Sequence, residues 1–480
     1  MAKKKITSDG IYFIGQNSCD VTGSCIFIKF GGKQILLECG LHQSVSNSYL
    51  DSYKINSAKF KFNPRDIDYV FVGHSHIDHI GLLPRLCKEG FHGKIIITDS
   101  SAQIADALLK NCAYILEDEA RVLSKRYNRE YKPIYIEEDV YHTLDHFCIY
   151  DKYNVVHKID DVVSFMLLKN AHCVGAAQIV LFLTDGNKCR KILYSSDIGA
   201  LNTKNHYVPD TEIYNGFVDF AIMESTYGNP KKINKKTRAF DTEHLRVAVD
   251  TVLERNGSLI LPAFSFSRTQ ELLTELYGIF GNDENFKSDI IVDSKLSCEL
   301  CNVYDNVLNG DAKRLWSSVS SWKNLKLIKE KSESQACIAD NVPKIVITSS
   351  GFCTNGRVVK YLEKYLRDVN SMIVFSGYTG NNPSYLSYRI QNYKDHKTIN
   401  INKKPVPNRA DCITMSTFSS HANNEDLVTY GSSLNTNKLI LVHGAQDAKE
   451  ILRKQLQDAI SKNDRTYRVL SSSKDMVVHL

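Results

Sequence analysis

No apolar run in this chain reaches the ~18–20 residues that a membrane-spanning helix needs. The basic start, Met1-Ala2-Lys3-Lys4-Lys5, is not followed by an apolar segment, so no secretory signal is expected. The 13 cysteines are scattered and odd in number. They include no pair of CxxC motifs of the kind a zinc ribbon uses, so reduced thiols and a cytoplasmic location are the simplest expectation. Internal repeats, low-complexity tracts and Pro/Gly/Ser-rich linkers are also lacking, which argues for domains inserted in one another rather than tethered. Charge of one sign is scarce: the net charge is only +6, with a pI near 8.5. That balance permits a nucleic-acid partner without demonstrating one. The richest basic run, Lys231-Lys232-Ile233-Asn234-Lys235-Lys236-Thr237-Arg238, is either a solvated loop, as such runs more often are, or a contact for phosphates.

What is present is an ordinary globular composition, 43% hydrophobic and 24% charged, in 480 residues. That length suits two or three domains. Short Val/Ile-rich runs alternate with longer amphipathic ones. Strands are expected at Ile26–Phe30, Gln34–Leu37, Tyr69–Val72, Lys94–Ile97, Lys191–Tyr194, Ser258–Leu261, Lys344–Thr348, Met372–Phe375 and Lys438–Val442. Helices are expected at Ala102–Lys125, Glu137–Phe147, Thr242–Arg255, Arg268–Phe280, Arg357–Leu366 and Ala448–Lys462. The alternation predicts an α/β protein.

The chemistry is concentrated in His74-Ser75-His76-Ile77-Asp78-His79, three of the chain's 15 histidines and one aspartate directly after a predicted strand. In an extended segment His74 and His76 face one side. Asp78 and His79 fall where the chain turns and can face a second point. Two metals about 3.5–4 Å apart suit such a pattern. His172 and Asp197 each end an apolar run and precede a glycine, as ligands borne on loops of a rigid sheet should.

This HxHxDH motif resembles that of the metallo-β-lactamase superfamily. Glu224-Ser225-Thr226-Tyr227-Gly228, Phe418-Ser419-Ser420-His421-Ala422 and Leu441-Val442-His443-Gly444 are similar, in order, to the three motifs of its β-CASP branch. The similarity extends over nearly the whole chain and is greatest to RNA-processing nucleases. It implies a four-layered αββα metallo-β-lactamase domain over residues 1–222 and 412–480, and an inserted α/β β-CASP domain over 223–411. It leaves no room for the extra C-terminal domain of ribonuclease J or for an amino-terminal KH module.

By the same resemblance, His74, His76 and His172 would hold one zinc, and Asp78, His79 and His443 a second, with Asp197 bridging. The set is also acceptable to Mn²⁺. A metal-bridged hydroxide would attack the phosphodiester, with Asp78 part of the catalytic centre. His421 would be the general acid, with Glu224 on its other ring nitrogen. His443 favours the RNA-cleaving members over the DNA-cleaving ones. Arg268 and Tyr378 are expected to contact substrate. Glu38 stands where the family usually has Asp, and is expected to support the metal-binding loop from behind. The resemblance thus implies a zinc-dependent ribonuclease acting on single-stranded RNA, with no membrane partner. Alternatives are a non-catalytic RNA-processing scaffold, a DNA nuclease or another hydrolase of this fold. Endo- against exonucleolytic action and oligomeric state, a homodimer included, are left open.

Overall fold

The computed structural model describes residues 8–43, 49–230, 237–377, 379–380, 382–394, 396–462 and 466–480. The chain forms two compact units. One runs to residue 233 and resumes at Ser420–Leu480, and the other spans 234–419.

The first unit contains two seven-stranded sheets. One has the order Val477–His479, Gly10–Phe13, Ile26–Phe30, Lys33–Leu37, Tyr69–Phe71, Lys94–Ile97, Phe147–Ile149. The other has the order Arg468–Ser471, Asn435–Val442, Phe217–Glu224, Lys188–Tyr194, Ala177–Asp185, Val163–Lys169, Val156–Lys158. Side chains alternate across each strand. Ile26, Ile28 and Phe30 therefore enter a core shared by both sheets with Phe165, Ile179, Ile192, Tyr194 and Ile222. Phe27, Leu36 and Val70 turn the other way and bury the helical residues Leu109, Ala113 and Leu116. On the far side, Leu193, Leu439 and Leu441 pack under Leu427, Leu452 and Leu456 of two C-terminal helices. Helix, sheet, sheet and helix follow one another as four layers, each amphipathic element hiding its apolar face.

The second unit holds a six-stranded, wholly parallel sheet ordered Leu325–Ile328, Ile290–Asp293, Ile345–Thr348, Leu259–Pro262, Met372–Phe375, Asp411–Thr414. Its central strands are buried on both faces, which is why they read as unbroken apolar runs rather than alternating ones.

The expected domain limits at 222/223 and 411/412 fall inside strands, Phe217–Glu224 and Asp411–Thr414. Strand hydrogen bonding carries each strand whole into its sheet, so the chain passes between units later. The helix expected over Glu137–Phe147 ends at Leu144, and Phe147–Ile149 pairs as an edge strand. One single CxxC does occur, Cys298-Glu299-Leu300-Cys301, on the helix Lys295–Val307. Burial pushes these thiols up to about 11 and about 12, the reverse of a reactive redox pair. Among the described residues no helix is long and apolar enough to cross a membrane.

Candidate metal centre

The motif residues of the first unit arrive at the carboxyl ends of strands, except His421, which stands before the helix Asn424–Ser433. The strand Tyr69–Phe71 delivers His74 and His76, and a single turn of helix, Ile77–Ile80, delivers Asp78 and His79. His172 follows Val163–Lys169, Asp197 follows Lys188–Tyr194, and His443 follows Asn435–Val442. Glu224 is the last residue of Phe217–Glu224.

These loops pack without room for side chains at two glycines. A Cβ on Gly40 would sit 1.6 Å from the Asp78 carbonyl oxygen, and one on Gly199 would sit 2.0 Å from the Ala171 carbonyl carbon. Glu38, Ser196 and His443 all hold left-handed backbone, with φ of 64°, 52° and 50°. Non-glycine residues adopt that region at a cost that surrounding packing must meet, and such strain gathers at functional sites.

The imidazoles and carboxylates converge in two adjoining groups. His76 Nδ1 lies 2.9 Å from His74 Nε2 and 3.1 Å from His172 Nε2. Asp78, His79, Asp197 and His443 form the second group, with ligand atoms within 4.8 Å of one another. Asp197 Oδ2 lies 3.3 Å from His79 Nε2 and 3.7 Å from both His74 Nε2 and His172 Nε2, so it stands between the groups. Burial, reinforced by neighbouring imidazoles, holds His74 and His172 well below the usual histidine range. Burial likewise brings His76 down to about 4. Neutral imidazoles keep the lone pair a metal takes. At Asp197 burial is outweighed by His443 and His79, which hold the carboxyl well below its ordinary value.

This donor set fits divalent cations. Seven imidazole and carboxylate side chains face one another, and buried atoms of His79, His172 and Asp197 have no hydrogen-bond partner. Such groups are costly in a protein interior unless something else satisfies them. Histidine and aspartate together are zinc-type ligands.

Glu38 lies behind the cluster, fully buried. Its Oε1 accepts from the Gly73 N–H at 3.0 Å and the Ser196 hydroxyl at 3.1 Å, and lies 3.4 Å from His79 Nδ1. Beside the cluster, Glu224 Oε1 accepts from the Ile198 N–H at 2.6 Å and Oε2 from the Thr226 N–H at 3.1 Å. The same carboxylate meets His421 Nδ1 at 3.0 Å. The His421 ring stands edge-on to His172, centroids 4.6 Å apart.

Arg268, in the second unit, opens the helix Arg268–Phe280. Its guanidinium donates to the Ser376 carbonyl and lies 3.7 Å from Glu271. Tyr378 lies outside the described residues, as do 231–236 of the basic run. Arg238, at the end of that run, is tied between Glu271 and Glu275, 3.8 Å from the Phe418 ring centre.

Sequence reasoning passed over three polar residues that build the site. Ser196 links Glu38 to His74 Nδ1, 3.1 Å away. Asn170 accepts from the His172 and Gly199 N–H groups and donates to the Asp197 carbonyl. Thr226 Oγ1 lies 3.0 Å from His443 Nδ1. Each lies one or two residues from a motif residue, the only signal the sequence offered.

Comparison with known proteins agrees with this arrangement. Residues 20–156 match the metallo-beta-lactamase superfamily model, 269–383 the Beta-Casp domain, and 405–466 the Zn-dependent metallo-hydrolase RNA specificity domain. The chain belongs to the metallo-β-lactamase superfamily and, within it, to the β-CASP family. Among β-CASP relatives, Ribonuclease TTHA0252 of Thermus thermophilus is 26% identical over 91% of this chain and 94% of its own. Probable RNase MJ4 of Methanocaldococcus jannaschii is 29% identical over 90% and 93%. Cleavage and polyadenylation specificity factor subunit 3 of Dictyostelium discoideum is 25% identical over 97% of this chain and 57% of its own length. A crystal structure of a protein of unknown function from Enterococcus faecalis V583 shares the fold, with a TM-score of 0.52 and 12% identity over 99% of this chain and 100% of that one.

Proposed function

We propose that this β-CASP protein is a zinc-dependent ribonuclease that hydrolyses phosphodiester bonds of single-stranded RNA. The observation that carries the reading is the adjacency of a three-histidine group and a histidine–carboxylate group, with Asp197 near both, and the His421–Glu224 pair at their side. Names carried by its relatives, a ribonuclease and a probable RNase, support RNA as the substrate.

His74, His76 and His172 would hold one cation, and Asp78, His79 and His443 a second, with Asp197 shared. Bound zinc supplies a Lewis acid that neutralises phosphoryl oxygen charge and makes water acidic. The chain's own residues do the rest. Glu38 and Ser196 orient His79 and His74. Glu224, fixed by two backbone N–H groups, holds His421 by Nδ1, so that Nε2 delivers the proton to the leaving oxygen. Arg268, whose guanidinium donates to the Ser376 carbonyl, and Tyr378 are the side chains proposed to contact substrate.

The test is cleavage of end-labelled single-stranded RNA, with matched DNA alongside, by wild type, Asp78→Ala and His421→Ala. RNA cleavage lost in both variants, with DNA spared, supports the reading. Intact RNA with every enzyme and several divalent metals overturns it in favour of a scaffold. A dead Asp78→Ala beside an active His421→Ala keeps the metal centre and removes the proton donor.

A further inference from the structure

The 29-residue helix Asp99–Tyr127 begins at the metal centre and ends far from it. Its first turn is stitched to the histidine loop: the Ser75 hydroxyl, between His74 and His76, donates to the Ser101 carbonyl at 2.6 Å. At 1.5 Å per residue the other end lies about 40 Å away. There the chain reads Lys125-Arg126-Tyr127-Asn128-Arg129-Glu130-Tyr131-Lys132, four cations and one carboxylate.

This end is built rather than frayed. Asn128 closes the helix in the left-handed conformation, φ 47°. Ser124 then staples the returning chain. Its carbonyl takes the Arg129 N–H, and its hydroxyl takes the Tyr131 N–H at 2.9 Å. Tyr131 is seated edge-on against Tyr53, centroids 5.2 Å apart, and Tyr127 stands 6.1 Å from Tyr131. Arg126 lies over Tyr127 and Arg129 over Tyr131, at 5.7 and 5.6 Å. Tyr127 remains 43% exposed. Among the described residues no carboxylate pairs with Lys125, Arg126, Arg129 or Lys132.

We propose that this helix end is a second RNA-binding site, which anchors the strand about 40 Å from the metal centre. An exposed tyrosine between unneutralised cations suits single-stranded nucleic acid: a base stacks on the Tyr127 ring, and Arg and Lys meet the backbone phosphates. Four cations against a single carboxylate favour a polyanion over an ordinary protein surface. The inference rests on the single-stranded RNA reading. It adds that long strands are held at two points on one rigid element, and short ones at the metal centre alone.

The experiment compares fluorescent RNAs of about 5 and about 30 nucleotides in binding and cleavage. The enzymes are wild type, the triple variant Lys125→Ala/Arg126→Ala/Arg129→Ala, Tyr127→Ala and Tyr127→Phe. All four positions are exposed, so the fold should survive. The triple variant should bind the long RNA about tenfold more weakly. Its salt dependence should fall by about two in log–log slope, near 0.7 per cation removed. Its KM for the long strand should rise at constant kcat, with the short strand cleaved as by wild type. Tyr127→Phe, which keeps the ring, should restore what Tyr127→Ala loses. Unchanged long-strand binding, or an equal loss on the short strand, overturns the proposal. So does binding to phosphatidylserine vesicles that the triple variant loses while RNA binding holds. A wild type that binds the long strand through this patch but cleaves no RNA would sink the ribonuclease reading and leave the anchor standing.

Discussion

The carboxylate of Glu224 is held by two backbone N–H groups and placed 3.0 Å from Nδ1 of His421. Burial works against the imidazolium, but the charge and hydrogen bond of Glu224 outweigh it and raise His421 to about 9. Cations bound beside it act in the opposite direction. A raised pKa keeps the acid form present below it and loses that form as pH climbs through it. Glu224→Gln removes the charge, so the falling alkaline limb of the pH–rate profile should move to lower pH. An unmoved limb in Glu224→Gln, measured as kcat across pH 6–10 (about one unit per step), would detach Glu224 from the proposed proton donor.

Glu38 should act on the metal rather than on substrate. Its Oε1 gathers Gly73 N–H, the Ser196 hydroxyl and the neighbourhood of His79 Nδ1. Glu38→Gln should weaken zinc binding by about 10–100-fold, as loss of such a supporting carboxylate does elsewhere. Glu38→Asp, one methylene shorter, cannot span the same three groups without shifting the loop and should also bind more weakly. Competition with a chromogenic chelator measures both. Equal affinity in Glu38→Gln would make the residue a packing feature only.

Metal removal should cost stability as well as activity. Asp78, Asp197 and Glu38 crowd five histidines, four of them buried, and buried atoms of His79 and His172 lack hydrogen bonds. A cation binding the folded chain at 100 times its dissociation constant stabilises it by about 2.7 kcal/mol. Dialysis against a chelator should therefore lower the midpoint of thermal unfolding, and zinc should restore it. Asp197→Asn should abolish that zinc-dependent rise, since Asp197 stands between the two groups.

Asp241 should matter to the second unit's stability. It is fully buried, and its Oδ2 accepts from the N–H of Ser416, the N–H of Thr417 and the Thr417 hydroxyl, at 2.8, 2.9 and 2.8 Å. Asp241→Ala strands those donors and should cost about 1–3 kcal/mol. Urea unfolding with a probe in this unit measures it. A change within about 0.5 kcal/mol would show that water satisfies the donors as well.

Residues spaced closely along the chain carried their chemistry openly. Three histidines and an aspartate within six residues marked a metal site, because local geometry alone makes them face common points. The apolar runs within Ser258–Leu261 and Met372–Phe375 marked strands, because buried parallel strands have no polar face. The strands Phe217–Glu224 and Ala177–Asp185 were missed, since their apolar residues run into polar or acidic ends that blur the period. Ser196, Asn170 and Thr226 had no mark of their own. A serine or asparagine becomes a site residue only through the partner that folding brings to it, as Ser196 meets Glu38 across 158 positions. The sequence determined the metal-binding chemistry, the α/β class and the order of motifs, all of which depend on neighbours in the chain. Tertiary structure decided how near Asp197 stands to each histidine group, which backbone N–H groups fix Glu224, and that a basic helix end lies a full helix length from the metal centre. Those are distances between sheet ends and loops, and only packed layers fix them.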